Sequence, residues 1–425
     1  MLDITDPTQP VQLTPQIVAS NGGTYTFVAQ IPWTTTAGAT PARHTLLAVA
    51  ADQIAVAAGL RANHPSTWHS AQRGADIAMV SHENFVGALP PLVSSHRRTG
   101  KSSVVVPIGD LYDEFNFGER SPDVIRQFLQ TANQGWRIKP KYLLLNGRAS
   151  VDPRNYLGYG YLDFVPTKIV AATGLMTASD DWFSDFNNTG MPTIATGRLP
   201  VATLDEANTV VGKIEAYERE STNGAWTGQA LVVADENDTI NFTGDSQTVQ
   251  NEMPSTLQVT DVFNGSVGAV AAREQIVSAI NSGQLLVNYI GHGAEEQWSG
   301  SDIFDNNTVA TLTNGTQLPV FLIMDCLNGF FQDVFGQPLA VTLILAPNGG
   351  GVAVLASSGL NQAPPQAKLD ALIVKSVLSS PQPTLGDAIV AAKSQIDAAV
   401  VRKTYILFGD PAMQVKPPVA EAPAN

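Results

Sequence analysis

Leu285-Leu286-Val287-Asn288-Tyr289-Ile290-Gly291-His292-Gly293 is an apolar run of strand length that ends in a Gly-His-Gly turn. A second run, Val320-Phe321-Leu322-Ile323-Met324-Asp325-Cys326, repeats the pattern and ends on the single cysteine of the chain. Short apolar runs bounded by turn residues suit strands buried on both faces, as in parallel sheets. The spacing of 34 residues (326 − 292) leaves room for a connecting helix. Parallel neighbours joined by such a crossover present their C-terminal ends at one edge. An imidazole and a thiol are therefore expected at one rim.

The surroundings alternate strand and helix. Strands are expected over 77–80, 103–107, 142–147, 229–234, 351–356 and 405–411. Helices are expected over 85–99 and 273–281. Ser121-Pro122-Asp123 reads as a helix start, with an N-cap Ser, Pro at N1 and an acid in the first turn. Thr203-Leu204-Asp205-Glu206 reads as a capping box, and Thr384 as a further N-cap. This is βαβ logic, and it predicts a parallel sheet covered by helices. Four segments follow. Residues 1–72 form a β-rich lead-in and linker, with a strand near 24–28. Residues 73–224 form a first α/β subdomain and 225–415 a second that carries His292 and Cys326. Residues 416–425, rich in Pro and Ala, read as a disordered tail. His64 and His69 read as solvated linker residues. His44, His82 and His96 receive no role.

The chain has 425 residues, 44% of them apolar and 15% charged, with a formal net charge of −14. No basic stripe exists to neutralise phosphates, so a nucleic-acid partner is excluded. Cationic substrates fit the charge, and solubility alone is the other reading of it. One cysteine excludes an internal disulfide framework and a Cys-rich zinc site. No apolar run reaches the ~18 residues of a membrane span. Met1-Leu2-Asp3-Ile4-Thr5-Asp6 lacks the basic start and apolar core of a signal peptide.

A thiol becomes a nucleophile when a base takes its proton, and imidazole does this near neutral pH. Gly291 and Gly293 leave the backbone beside His292 open to a substrate strand. The amides of Gly293 and Cys326 are candidates to hold a developing oxyanion.

The chain resembles the gingipain-type cysteine peptidases, which share the caspase-like fold. The resemblance runs through the Val287–Gly293 stretch, Glu296-Gln297-Trp298, Cys326-Leu327-Asn328-Gly329-Phe330, Ser357-Ser358-Gly359-Leu360-Asn361-Gln362 and Phe408-Gly409-Asp410-Pro411. In the first α/β unit it includes Tyr112-Asp113-Glu114-Phe115, Ser179-Asp180-Asp181-Trp182 and Gly197-Arg198-Leu199-Pro200. It covers roughly 75–416. It implies a three-layer α/β/α fold of two tandem subdomains. It implies a cysteine endopeptidase with a Cys326/His292 dyad, acting on peptide or protein substrates as a monomer, secreted or at the cell surface. An acid after strand 229–234, Asp235 or Glu236, would orient the imidazole. Asp245 matches an aspartate at the base of a pocket for P1 Arg or Lys. Asn361, Gln362 and Trp298 fall with the substrate-binding residues. Catalysis needs no cofactor. Asp180-Asp181 and the 235–245 loop are candidates for structural calcium, but no EF-hand spacing exists. Asn146-Gly147-Arg148 departs from the family's Gly-Asp, and Ala363-Pro364-Pro365 stands where an arginine-specific member has a tryptophan.

Two other readings remain at this point. One is a sorting- or secretion-linked member of the same fold that binds peptide without general proteolysis. The other is a flavodoxin-like nucleotide binder, which lacks the expected Gly-rich phosphate loop.

Overall fold

A computed structural model describes residues 1–20, 22, 24–31, 43–50, 53, 62–63, 65–219 and 224–418. The chain divides into two compact units, 1–63 and 64–425. In the first, Gln16–Ser20 pairs antiparallel with Thr24–Val28, and Leu2–Asp3 pairs with Val11–Gln12 and Leu46–Leu47. His44 Nδ1 lies 2.7 Å from Asp3 Oδ2, which ties the ends of that small sheet together.

The unit boundary falls nine residues before the expected 72. Trp68 explains the difference. Its ring is buried against Phe128 and Trp136, and its indole N–H donates to Asp110 Oδ2 at 3.1 Å. His69 is exposed, as expected, but its ring is paired. Its ring meets Glu114 Oε1 at 2.7 Å and stacks on Phe115. His64 lies outside the described residues.

The second unit is organised on one sheet of ten strands. In chain order they are β1 (Ile77–Ser81), β2 (Ser103–Pro107), β3 (Tyr142–Asn146), β4 (Ala195–Leu199), β5 (Gln229–Ala234), β6 (Gln258–Phe263), β7 (Leu286–Ile290), β8 (Val320–Met324), β9 (Ala353–Ser357) and β10 (Tyr405–Phe408). Their order across the sheet is β6-β5-β7-β8-β9-β10-β4-β3-β1-β2. β1, β3, β5, β7, β8, β9 and β10 are buried along their whole length apart from the first residue of β5, as apolar runs without alternation require, and β4 is buried with its Arg198 paired to Asp180. The two tandem subdomains are thus halves of a single sheet. All neighbours are parallel except β9 and β10, which are antiparallel. The reversal therefore falls inside the second subdomain, whose last strand, β10, runs parallel with β4 and the strands of the first. An apolar run of four or five residues reads the same in either direction, so the sequence carried no sign of this reversal.

Helices cover both faces. Ile77 and Met79 of β1 enter one core, and Ala78 and Val80 enter the other. The capping box is present: Thr203 Oγ1 accepts the Glu206 amide at 3.1 Å, and Glu206 Oε2 accepts the Thr203 amide at 3.2 Å. Thr384 Oγ1 caps its helix through the Asp387 amide at 3.1 Å. The helix expected over 85–99 is broken into a 3₁₀ segment, Glu83–Ala88, and an α-helix, Pro90–Arg98. Pro90 and Pro91 lack amide donors and suit only a first turn. His82 caps the 3₁₀ segment by accepting the Asn84 amide. His96 is buried between Ser103 Oγ at 2.8 Å and Asp410 Oδ2 at 2.6 Å. Both are structural residues.

The connection from β7 to β8 is not a crossover helix. It is a small three-stranded sheet (Gly293–Ala294, Gln297–Trp298, Phe304–Asp305) followed by one helical turn, Asn306–Val309. Residue 416 is not free tail, because the Lys416 amide donates to Tyr217 Oη and the residue is buried.

Candidate active site

β7 and β8 are paired through five residues, the last pair being Ile290 opposite Met324. His292 and Cys326 each stand two residues beyond that pair, so the strands deliver them to the same rim.

The histidine turn is built from its own neighbours. Tyr289 Oη donates to the His292 carbonyl at 2.6 Å, and the Ser299 amide donates to it at 2.8 Å. The His292 amide donates to Asp235 Oδ2 at 3.2 Å. A side chain at Gly291 would collide with Tyr289 and Asp235, and one at Gly293 with Asp325. The two glycines are therefore required by close approach. The imidazole stays exposed. Its Nε2 lies 3.0 Å from Asp238 Oδ2, and its edge meets Phe242 with centroids 5.1 Å apart. The His292 bond and the Ile240 amide hold the Asp238 carboxyl below its ordinary range.

Neither acid expected to orient the ring does so. Asp235 is buried and spends its oxygens on the His292 and Glu236 amides and on Asn264, so it fixes the turn rather than the imidazole. Glu236 is exposed, with its side chain lying beside Gly265. The carboxylate on the ring comes from Asp238. Several acids and amides crowd this loop, and spacing alone gave no reason to choose it.

The thiol of Cys326 is half-buried. It receives the Asn361 amide at 3.4 Å and faces the Asn361 carbonyl at 3.7 Å. Burial pushes the thiol pKa up; the Asn361 amide opposes that shift, and Asp325 adds to it. Leu327 leaves the cysteine at φ 67°. Left-handed backbone at a branched residue costs about 1–3 kcal/mol and persists only where its surroundings hold it. Here the Leu327 and Gly329 amides are held by the carbonyls of Gly359 and Ser357. The buried Asn328 amide donates to the carbonyls of Ala294 and Gln297. Asn328 thereby joins the cysteine turn to the histidine hairpin.

The remaining expected residues are placed unequally. Asp245 sits in the first turn of the helix Phe242–Gln250, three residues after the phenylalanine that touches His292. Residues at i and i+3 share a helix face. Its carboxyl is partly buried and raised by lost hydration, and it has no hydrogen-bond partner among the described residues. Gln362 is exposed at the N-cap of the helix Ala363–Val377. Asn361 turns its side chain inward to Ser357 and Thr404 and shows the thiol only backbone. Trp298 is a correction: it is fully buried and stacked on Tyr289 at 4.4 Å, which puts it under the turn and not on a substrate-facing surface.

Two of the proposed calcium acids, Asp180 and Asp181, are engaged elsewhere. Asp180 forms a buried bidentate pair with Arg198, and Asp181 pairs with Lys393. Among the described residues no group of three or more His, Cys, Asp or Glu could hold a metal. Arg148, at the family's acidic position, donates instead to the carbonyls of Phe331, Asp333 and Gly336. It anchors the loop that follows Cys326.

A mostly parallel α/β/α sheet with a histidine and a cysteine at adjacent strand ends defines a caspase-like protein. The chain belongs to peptidase family C25, whose sequence description matches residues 70–416. Gingipain R2 of Porphyromonas gingivalis is 28% identical over 255 residues, covering 54% of this chain and 34% of that protein. The chain thus matches about a third of the length of that relative. An uncharacterised protein of Archaeoglobus fulgidus is 23% identical over 383 residues, covering 76% of this chain and 88% of that one. The crystal structure of the arginine-specific cysteine proteinase gingipain R matches with a TM-score of 0.67 at 22% identity, over 80% of this chain and 78% of that one. That likeness establishes the fold. Among the described residues no helix is long and apolar enough to cross a membrane.

Proposed function

We propose that the protein is a cysteine endopeptidase that cleaves after basic residues. The observation that carries this reading is the register of Ile290 with Met324, which sets His292 and Cys326 at matching positions on one rim. Cys326 Sγ attacks the scissile carbonyl carbon while His292 takes the thiol proton. The carbonyl oxygen becomes an oxyanion, facing the amides of Gly293 and Cys326. His292 returns the proton to the leaving amine and the C–N bond breaks, leaving a thioester. Water, deprotonated by the same imidazole, then attacks the thioester and releases the acid and the thiol. Asp238 orients the ring. Asp245 pairs with a P1 guanidinium or ammonium, a role suited to a partly buried carboxyl without a cation of its own. The net charge of −14 favours approach of such substrates. By family habit the protein acts outside the cell or at its surface.

The test is hydrolysis of peptides with P1 Arg, Lys or Leu. Wild type is expected to cleave the first two, Cys326→Ala none, and Asp245→Ala to lose basic-P1 cleavage selectively. Equal turnover by wild type and Cys326→Ala would refute the dyad. Peptide binding without cleavage by wild type would support the sorting-type reading.

A further inference from the structure

The residue before the nucleophile is an acid that the proposed reaction does not use. Asp325 ends the β8 run, is 0% exposed, and neither of its carboxyl oxygens has a hydrogen-bond partner among the described residues. Such a group is expensive to leave in place, so its position calls for a reason. Its carboxyl lies against Gly293 on the histidine turn, where it fills the space a side chain at 293 would need. It thus separates the two turns that carry the reactive residues. The groups that feel its charge include Cys326 on its own turn, Tyr289 on β7 and Tyr405 on β10, and His292 stands one residue before Gly293 on the facing turn. Beyond these, Asp235 faces Tyr289, and Asp370 on the helix Ala363–Val377 faces Tyr405.

We propose that Asp325 is a positioning residue that works as a neutral carboxylic acid, spacing the histidine turn from the cysteine turn while leaving the thiolate unopposed. This rests on the peptidase reading of the same site. The physical argument is one of charge. One negative charge develops here during attack, on Sγ as its proton passes to His292 and then on the oxyanion near Gly293 as the C–S bond forms. A carboxylate at Asp325 would stand beside both in a poorly hydrated site, where like charges repel strongly. A protonated carboxyl has the same shape without that cost. Burial with no compensating donor pushes its pKa well above the ordinary range, in keeping with a neutral form.

The test compares wild type with Asp325→Asn, which keeps shape and neutrality, and Asp325→Glu, which adds a methylene against Gly293. Two readouts are followed from pH 6 to 10: kcat/KM for an arginyl peptide, and the rate of iodoacetamide alkylation of Cys326. At pH 7 the Asn variant should match wild type within about threefold in both. At any alkaline pH where wild type ionises Asp325, the Asn variant should alkylate faster, because only wild type acquires an anion beside the thiolate. The Glu variant should lose about tenfold or more in kcat/KM. A loss above tenfold in Asp325→Asn at pH 7, with unchanged thermal stability, would mean that the carboxylate is required and would overturn the proposal. Coincident Asn and wild-type profiles at every pH would support the neutral form, whereas undiminished kcat/KM in Asp325→Glu would overturn the spacing role. If the Asn variant does not fold, the wild-type alkylation profile decides. A second ionisation below pH 7 that slows the rise refutes the proposal, and its absence below pH 7 supports it. Alkylation needs no turnover, so the Asp325 result stands even if no peptide is cleaved.

Discussion

The imidazole of His292 rests against Asp238, with Nε2 3.0 Å from Oδ2, while Asp235 holds the backbone of the same histidine. One loop thus supplies two acids with separable duties. Asp238 is half-exposed, and a pair in such water contact contributes little to stability. Asp238→Asn is expected to lower kcat/KM for an arginyl peptide by roughly 3–10-fold, with the melting temperature unchanged. Asp235→Asn should behave in the opposite manner. It disturbs a buried carboxylate that receives three donors, which costs about 2–3 kcal/mol. Urea unfolding and steady-state kinetics on both variants separate the two roles. Equal kinetic losses without a stability difference would contradict the assignment.

Asn328 is the mechanical tie between the reactive turns. Asn328→Ala removes two hydrogen bonds to the hairpin after His292, those to the Ala294 and Gln297 carbonyls. A loss of about 2–3 kcal/mol in stability is expected. Because Leu327 is held in a left-handed conformation beside it, the cysteine turn should loosen as well. A fall in kcat/KM larger than tenfold, measured at a temperature where the variant is still folded, would register that loosening. Wild-type kinetics in a destabilised Asn328→Ala would show that the tie serves stability only.

The sequence made the strand ends legible because apolar runs with glycine punctuation have few other readings. His292 and Cys326, the capping box at Thr203 and the N-cap at Thr384 all depend on local pattern, and local pattern was enough. What stayed hidden depends on which segments meet in space. Asp238 was one of several acids in its loop. Trp298 looked available as a substrate contact until its stack on Tyr289 placed it in the core. Arg148 stood where the family carries an acid, yet its guanidinium serves carbonyls 183 to 188 residues further on. The reversal between β9 and β10 had no local signature at all.

The resting thiol is expected to be protonated. Burial raises the Cys326 pKa above that of an ordinary thiol, and the opposing bond from the Asn361 amide does not offset it. Attack therefore requires proton transfer to His292 during the reaction rather than a standing ion pair. Iodoacetamide should alkylate Cys326 slowly at pH 6, with the rate climbing about tenfold per pH unit through pH 8. A model thiol under the same conditions should begin to level off earlier. Rapid alkylation that is flat between pH 5 and 7 would instead reveal a resting thiolate.

Asp370 makes stability fall as pH rises. It is fully buried on the helix Ala363–Val377, and its two oxygens accept from Asn288 Nδ2 on β7 at 2.8 and 2.7 Å. Burial raises its pKa from 3.8 to about 8, against the weaker lowering effect of Asn288. The folded protein therefore keeps this proton where the unfolded chain has lost it. Its contribution is complete below the unfolded value, shrinks as pH climbs between about 4 and about 8, and is constant above. Each pH unit in that window is worth on the order of 1 kcal/mol. Asp370→Asn keeps the shape and removes the titration. Urea unfolding at pH 5, 6, 7 and 8 should show wild type losing ground to the variant at each step. Parallel stability curves for the two proteins would mean that Asp370 is ionised in the fold, and that the Asn288 amide is enough to hold a buried carboxylate.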